Sequence, residues 1–148
     1  MSDNFKHSEI MTEIMVLSNY ERKKFQLDFV GTEHVLLAIA AREEDPGGQT
    51  LLKWGTNYQE IREKVIELHK KDLEEQAGKP PQLYREFTDD ARQLMGDKEF
   101  IFAEDTGKML ERLMAIPESR AKDVLTMLGV NVDRIIVEEE KKIFNNED

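Results

Sequence analysis

The sequence predicts an all-α fold: two pseudo-twofold-related four-helix repeats packed as one globular domain. Three observations predict it. Apolar residues recur at three- and four-residue spacings along nearly the whole chain, the period of one helix face. Helix-breaking residues cluster at two points, Asp45-Pro46-Gly47-Gly48 and Gly78-Lys79-Pro80-Pro81. The two halves also repeat each other at a fixed separation. Thr32, Leu36, Ile39, Leu51, Gly55, Asn57 and Ile61 stand 74 residues before Thr106, Leu110, Leu113, Leu125, Gly129, Asn131 and Ile135, with no gap across those thirty positions. Ahead of this block the separation grows to 80, with Ser8 against Thr88, so the second half is six residues shorter near its start. A half of this size buries too little apolar surface to stand alone, and the two are expected to lean on each other.

Taken in order, Ile10, Ile14 and Leu17 predict a helix over about residues 8–24, with Ser8 as its N-cap. A short connection follows over 26–31. Thr32 is placed to cap a second helix running through Glu33, His34, Val35, Leu36, Leu37, Ala38, Ile39 and Ala40. That helix is apolar over most of its girth and is expected to lie buried among others. Asp45-Pro46-Gly47-Gly48 stops it, and a short helix carries Leu51, Leu52 and Trp54 as far as Gly55. Thr56 with Gln59 has capping-box form. The long charged helix after it, over about 57–75, turns Ile61, Val65, Ile66 and Leu68 inward. Residues 77–86 read as a linker, because two adjacent prolines cannot sit inside a helix. In the second half Thr88 caps a short helix and Phe100-Ile101-Phe102 forms an apolar stretch. Helices follow over about 105–115, 118–128 and 131–143, and residues 145–148 read as frayed. One domain over 1–148 results, with a first repeat over about 5–76 and a second over about 87–144.

Charge and composition narrow the function. Lys and Arg number 21 against 31 Asp and Glu, a formal net charge of −10. Such a surface repels a phosphate backbone, which argues against nucleic acid and for basic or unfolded protein partners. Cysteine is absent, which removes disulfides, thiolate nucleophiles and Cys-based zinc sites and fits a reducing, cytoplasmic setting. No run approaches the roughly 18–20 apolar residues of a membrane helix, and no secretory pattern opens the chain. His7, His34 and His69 lack metal-ligand spacing, so no metal and no cofactor is expected. Gly78-Lys79 runs into Pro80 and Gly107-Lys108 into Met109, so neither makes a P-loop. The clusters Glu43-Glu44-Asp45, Asp89-Asp90 and Glu138-Glu139-Glu140 read as solvated helix faces. General acid–base catalysis needs instead a carboxylate pair in a cleft with separated pKa values. The chain reads as non-enzymatic. Met11, Met15, Met95, Met109, Met114 and Met127 fall at core-like helical positions.

The stretch Val30-Gly31-Thr32-Glu33-His34-Val35-Leu36-Leu37-Ala38-Ile39 resembles the Gly-Thr-Glu-His signature of the Clp N-terminal domain. That domain is the double Clp repeat at the front of ClpA- and ClpC-type protein unfoldases. Leu128-Gly129-Val130-Asn131 and the internal repeat extend the resemblance over essentially the whole chain. It implies a non-catalytic module of the Clp protease and chaperone system that docks adaptors or substrates. The alternative is a free-standing regulator or stabiliser of a Clp protease complex that mimics the docking domain. In ClpC-type members the two signature glutamates are associated with capture of phosphorylated arginine. The resemblance therefore implies a substrate- or adaptor-binding site at Thr32, Glu33, His34 and Ser8. The second signature reads Asp105-Thr106-Gly107-Lys108, with Gly107 at the position of the second glutamate. A glycine supplies no carboxylate for a guanidinium, so at most one phosphoarginine site is implied. The residues alone support a plainer reading beside it. Thr32 serves as a cap, Glu33 complements the helix dipole, and His34 is a hydrogen-bonded structural histidine.

Overall fold

The computed structural model describes residues 8–25, 27, 30–76 and 88–132. The expected linker, most of the last expected helix, His7 and the Glu138 cluster lie outside them. Among the described residues all the helices are α-helices and no strand forms; Val30 makes a lone bridge. The all-α class is borne out.

Helix α1 spans Glu9–Lys24, and Ser8 caps it as expected, its Oγ accepting from the Met11 N–H at 3.2 Å. Helix α2 spans Thr32–Ala41 and buries every side chain from Thr32 to Ala40. It is the central element, touched by α1, α3, α4, α5, α7 and α8. Its N-cap is Gly31, and Thr32 is its first helical residue. Helix α3 spans Pro46–Lys53, so the Pro-Gly-Gly run does not merely end α2; it opens α3. Proline suits a first helical turn because its missing N–H would have had no partner there. Helix α4 spans Tyr58–Gln76. Its first turn is capped by Asn57, whose Oδ1 accepts from the Glu60 N–H at 3.0 Å, rather than by Thr56. The second half supplies α5 at Asp89–Met95, α6 at Lys98–Ile101, α7 at Thr106–Met114 and α8 at Arg120–Met127.

Elements of the two halves begin at the same 74-residue separation. Helices α2 and α7 begin at Thr32 and Thr106, and α3 and α8 at Pro46 and Arg120. Gly55 and Gly129 both take a left-handed φ, 91° and 83°. Each closes its helix in the same way. Gly55 and Thr56 donate to the carbonyls of Leu52 and Leu51 at 3.0 and 3.1 Å. Gly129 and Val130 donate to those of Thr126 and Leu125, both at 2.9 Å. Only a residue free of Cβ strain adopts that φ readily, which is why glycine stands at both positions.

The halves also exchange hydrogen bonds at equivalent places. The Gly47 N–H donates to Thr106 Oγ1 at 2.9 Å, and the Ala121 N–H donates to Thr32 Oγ1 at 3.0 Å. Gly47 and Ala121 stand 74 residues apart, as the two threonines do. Gly47 and Ala121 lie in the first turns of α3 and α8, where N–H groups have no partner within their own helix, and a hydroxyl from the opposite half satisfies each of these two. The N-cap residues behave similarly: Ser8 N donates to Ile101 O at 2.9 Å and Thr88 N to Val30 O at 3.0 Å. Between these bonds lies one apolar core drawn from both halves, including Ile14, Leu36, Ile61, Leu94, Phe100 and Leu113. Met11, Met109 and Met114 belong to it, whereas Met127 is 42% exposed, contrary to expectation.

The close approach of α3 to α7 gives a first test. A Cβ at Gly47 would lie 2.6 Å from the Thr106 carbonyl oxygen and 2.7 Å from Ile39 Cγ2. Gly47→Ala is expected to cost about 1–3 kcal/mol through overpacking, although its counterpart is already alanine. Thermal unfolding should show a Tm several degrees lower. An unchanged Tm would mean that this contact yields without cost.

Candidate functional site

Three of the four residues singled out from sequence meet at the N-terminus of α2. The Gly31 N–H donates to His34 Nδ1 at 2.8 Å, so the imidazole reaches back to the residue before its helix. An Nδ1 that accepts leaves the proton of the neutral ring on Nε2. Burial lowers the His34 pKa to about 4 and keeps it neutral, against the pull of Glu33 towards the charged form. His69 comes from α4, one turn beyond Val65, and its ring centroid lies 5.2 Å from that of His34. Phe25 packs edge-on against His69 at 4.7 Å. The His69 Nε2 stands 3.3 Å from Glu33 Oε2.

The decisive partner comes from the second half. Arg120, the first residue of α8, donates from Nε to Glu33 Oε2 at 3.0 Å and from its terminal nitrogen to Asp72 on α4. Glu33 is only 3% exposed. Burial by itself would raise its pKa, but the His69 contact, His34 and the Arg120 guanidinium outweigh it and hold the carboxyl at about 2. Burial likewise works against the charge on Arg120, and Glu33 and Asp72 more than compensate, raising its pKa. Asp90 on α5 completes the network. Its Oδ2 accepts from the Thr32 hydroxyl at 2.7 Å and from the Arg120 N–H at 2.9 Å, and its other oxygen accepts from the Thr88 hydroxyl. Thr32 Oγ1 thus accepts a hydrogen bond from the Ala121 N–H and donates one to Asp90. It joins three helices instead of capping one.

Ser8 has a different task, capping α1 and binding Ile101. His69, Arg120, Asp72 and Asp90 were missed in the sequence. A signal existed for His69, which continues the four-residue spacing of Ile61 and Val65 on the inner face of α4. The reading of Asp89-Asp90 as a solvated face is corrected for Asp90, whose carboxylate ties α2 to α8.

Glu33, His34 and His69 each offer a ligand atom within 4.8 Å of the others. Glu33 Oε1, His34 Nε2 and His69 Nδ1 are buried with no hydrogen-bond partner among the described residues. The chemistry of the set does not suit a cation. A metal at His34 Nε2 needs the lone pair there, which would put the ring proton on Nδ1 against the Gly31 N–H. Glu33 already neutralises Arg120. The arrangement instead presents a carboxylate whose guanidinium is supplied from within the chain, and a ligand arginine would have to displace Arg120 to reach it. No protein-family model matches the chain, and the search of curated proteins finds no match.

Proposed function

We propose that the chain is a non-catalytic protein-docking module of the Clp unfoldase and protease system, made of two Clp-like repeats and working in the cytoplasm. The observation that carries this reading is the reciprocal pair of bonds, Gly47 to Thr106 and Ala121 to Thr32, at the constant separation of 74. A two-fold relation between halves requires this pattern: each contributes the same donor and the same acceptor to the other. The Gly-Thr-Glu-His motif opens the buried helix at the centre of that exchange. The net charge of −10 favours basic or unfolded protein segments over nucleic acid.

A specific observation favours the regulator as a second reading. With Gly107 in place of one signature glutamate and Arg120 on the other, the positions associated with phosphoarginine capture are lost or filled. A body shaped like the docking domain, yet closed to the tagged arginine, would occupy Clp components without delivering such substrates. Partner binding then falls to the outer helix faces. Affinity capture from native lysate with the intact chain tests both readings. Saturable recovery of an adaptor supports the docking module, and recovery of the ATPase or protease supports the regulator. Recovery of no Clp component overturns both. Calorimetry with arginine phosphate is expected to show no saturable heat.

A further inference from the structure

Helix α1 buries Met11, Ile14, Ser18 and Glu21 and turns its opposite face outward. On that outer face Val16 and Tyr20 are 64% and 57% exposed, the most exposed large apolar side chains among the described residues. Scattered apolar side chains on a surface are ordinary, but these two stand four residues apart and adjoin along the helix. The charges around them are ordered. Glu9 and Glu13 lie exposed towards the N-terminal end, and Lys23 and Lys24 towards the C-terminal end.

We propose that a second copy of this chain docks on this face, α1 against α1 and antiparallel, about a two-fold axis midway between Val16 and Tyr20. In that register Val16 of each copy meets Tyr20 of the other, and Glu13 of each meets Lys23 of the other. The same patch serves both sides, as an isologous interface requires. The order of charges selects the direction. A parallel pairing would set glutamates against glutamates and lysines against lysines, whereas the antiparallel one opposes unlike charges at both ends. Glu13 already pairs with Arg42 at 2.6 Å, yet its side chain stays 55% exposed and open to a second cation. Acids near the N-terminus and bases near the C-terminus also suit the dipole of α1 itself. That local effect gives no account of the apolar pair between them. A single helix face is smaller than the roughly 1,200 Å² of a stable complex, and the negative charge on each copy opposes contact. The dimer is therefore weak, with a Kd on the order of 100 µM.

Sedimentation of the full chain at rising concentration tests the proposal. A reversible monomer–dimer equilibrium is expected, and Val16→Glu should raise its Kd at least about tenfold with an unchanged circular dichroism spectrum. The register has a sharper test. Glu13→Lys and Lys23→Glu should each weaken self-association, because each places like charges together at both ends. An equimolar mixture of the two variants should dimerise as well as the parent chain, since every pair across that interface is again unlike. Rescue by mixing cannot arise from either helix dipole or from folding. A parent chain that stays monomeric to about 1 mM, a dimer indifferent to Val16→Glu, or a mixture no better than its components would each overturn the proposal.

Discussion

Glu33→Ala is expected to destabilise the protein by about 3 kcal/mol, measured by urea unfolding at pH 7 through Trp54 fluorescence. Two accounts of Glu33 differ in magnitude. As a first-turn acid facing a helix dipole it would contribute about 0.3–1 kcal/mol. As half of an ion pair whose carboxylate is buried, its loss deprives a partly buried guanidinium of one partner, for which about 3–5 kcal/mol is the fully buried limit. The geometry favours the second, with Glu33 at 3% exposure and Arg120 Nε 3.0 Å away. Asp72 still accompanies Arg120 after the substitution, which places the expected loss at the lower end. Arg120→Ala makes the converse change. It leaves the carboxylate buried beside His69 and lifts its pKa from about 2. The double variant should lose less than the sum of the two single ones, because each single change strands a charge that the double change removes. A loss below about 1 kcal/mol for Glu33→Ala, or strict additivity in the cycle, would return Glu33 to the simple dipole role.

Much of the fold was legible because it rests on local periodicity. The spacing of Ile10, Ile14 and Leu17 marks α1, and the unbroken apolar run from Val35 to Ala40 marks a helix buried on all sides. Local signals misled where two roles share one residue type. A threonine ahead of an apolar run looks the same whether its hydroxyl caps its own helix or, as Thr32 does, receives an N–H from another half. Gly47 suggested a loop, but its lack of a side chain serves the close passage of α3 past Thr106. The candidate site was half legible. Thr32, Glu33 and His34 are contiguous, and His69 continues a visible spacing. Arg120 lies 87 residues from Glu33 in sequence. A charged residue on a short amphipathic helix carries no mark of the partner that folding brings to it, and the same holds for Asp72 and Asp90.

Stability is expected to fall as the solution is acidified from about pH 6.5 towards pH 4, with His34 as the principal cause. Above its ordinary pKa of 6.5 the imidazole is neutral in folded and unfolded chains alike, and its contribution is complete. Burial holds the folded value at about 4. Between these limits the unfolded chain binds a proton that the folded chain refuses, so each step down in pH favours unfolding. The loss through this group reaches about 3 kcal/mol by pH 4 and then levels, because the folded ring is protonated too. Protonation at Nδ1 also removes the acceptor of the Gly31 N–H and sets a cation beside Arg120. Glu33 acts in a lower window. Its carboxyl, ordinarily at 4.5 and held at about 2 in the fold, contributes fully above 4.5 and loses that contribution as pH falls towards 2. Urea midpoints measured across pH 3–8 should therefore decline in two overlapping stages. His34→Asn isolates the first. Its side-chain oxygen can still accept from Gly31 but takes up no proton in this range, so the variant should start lower at pH 7 and show a much flatter profile between 6.5 and 4. A variant profile as steep as the parent's would transfer the acid sensitivity to another group.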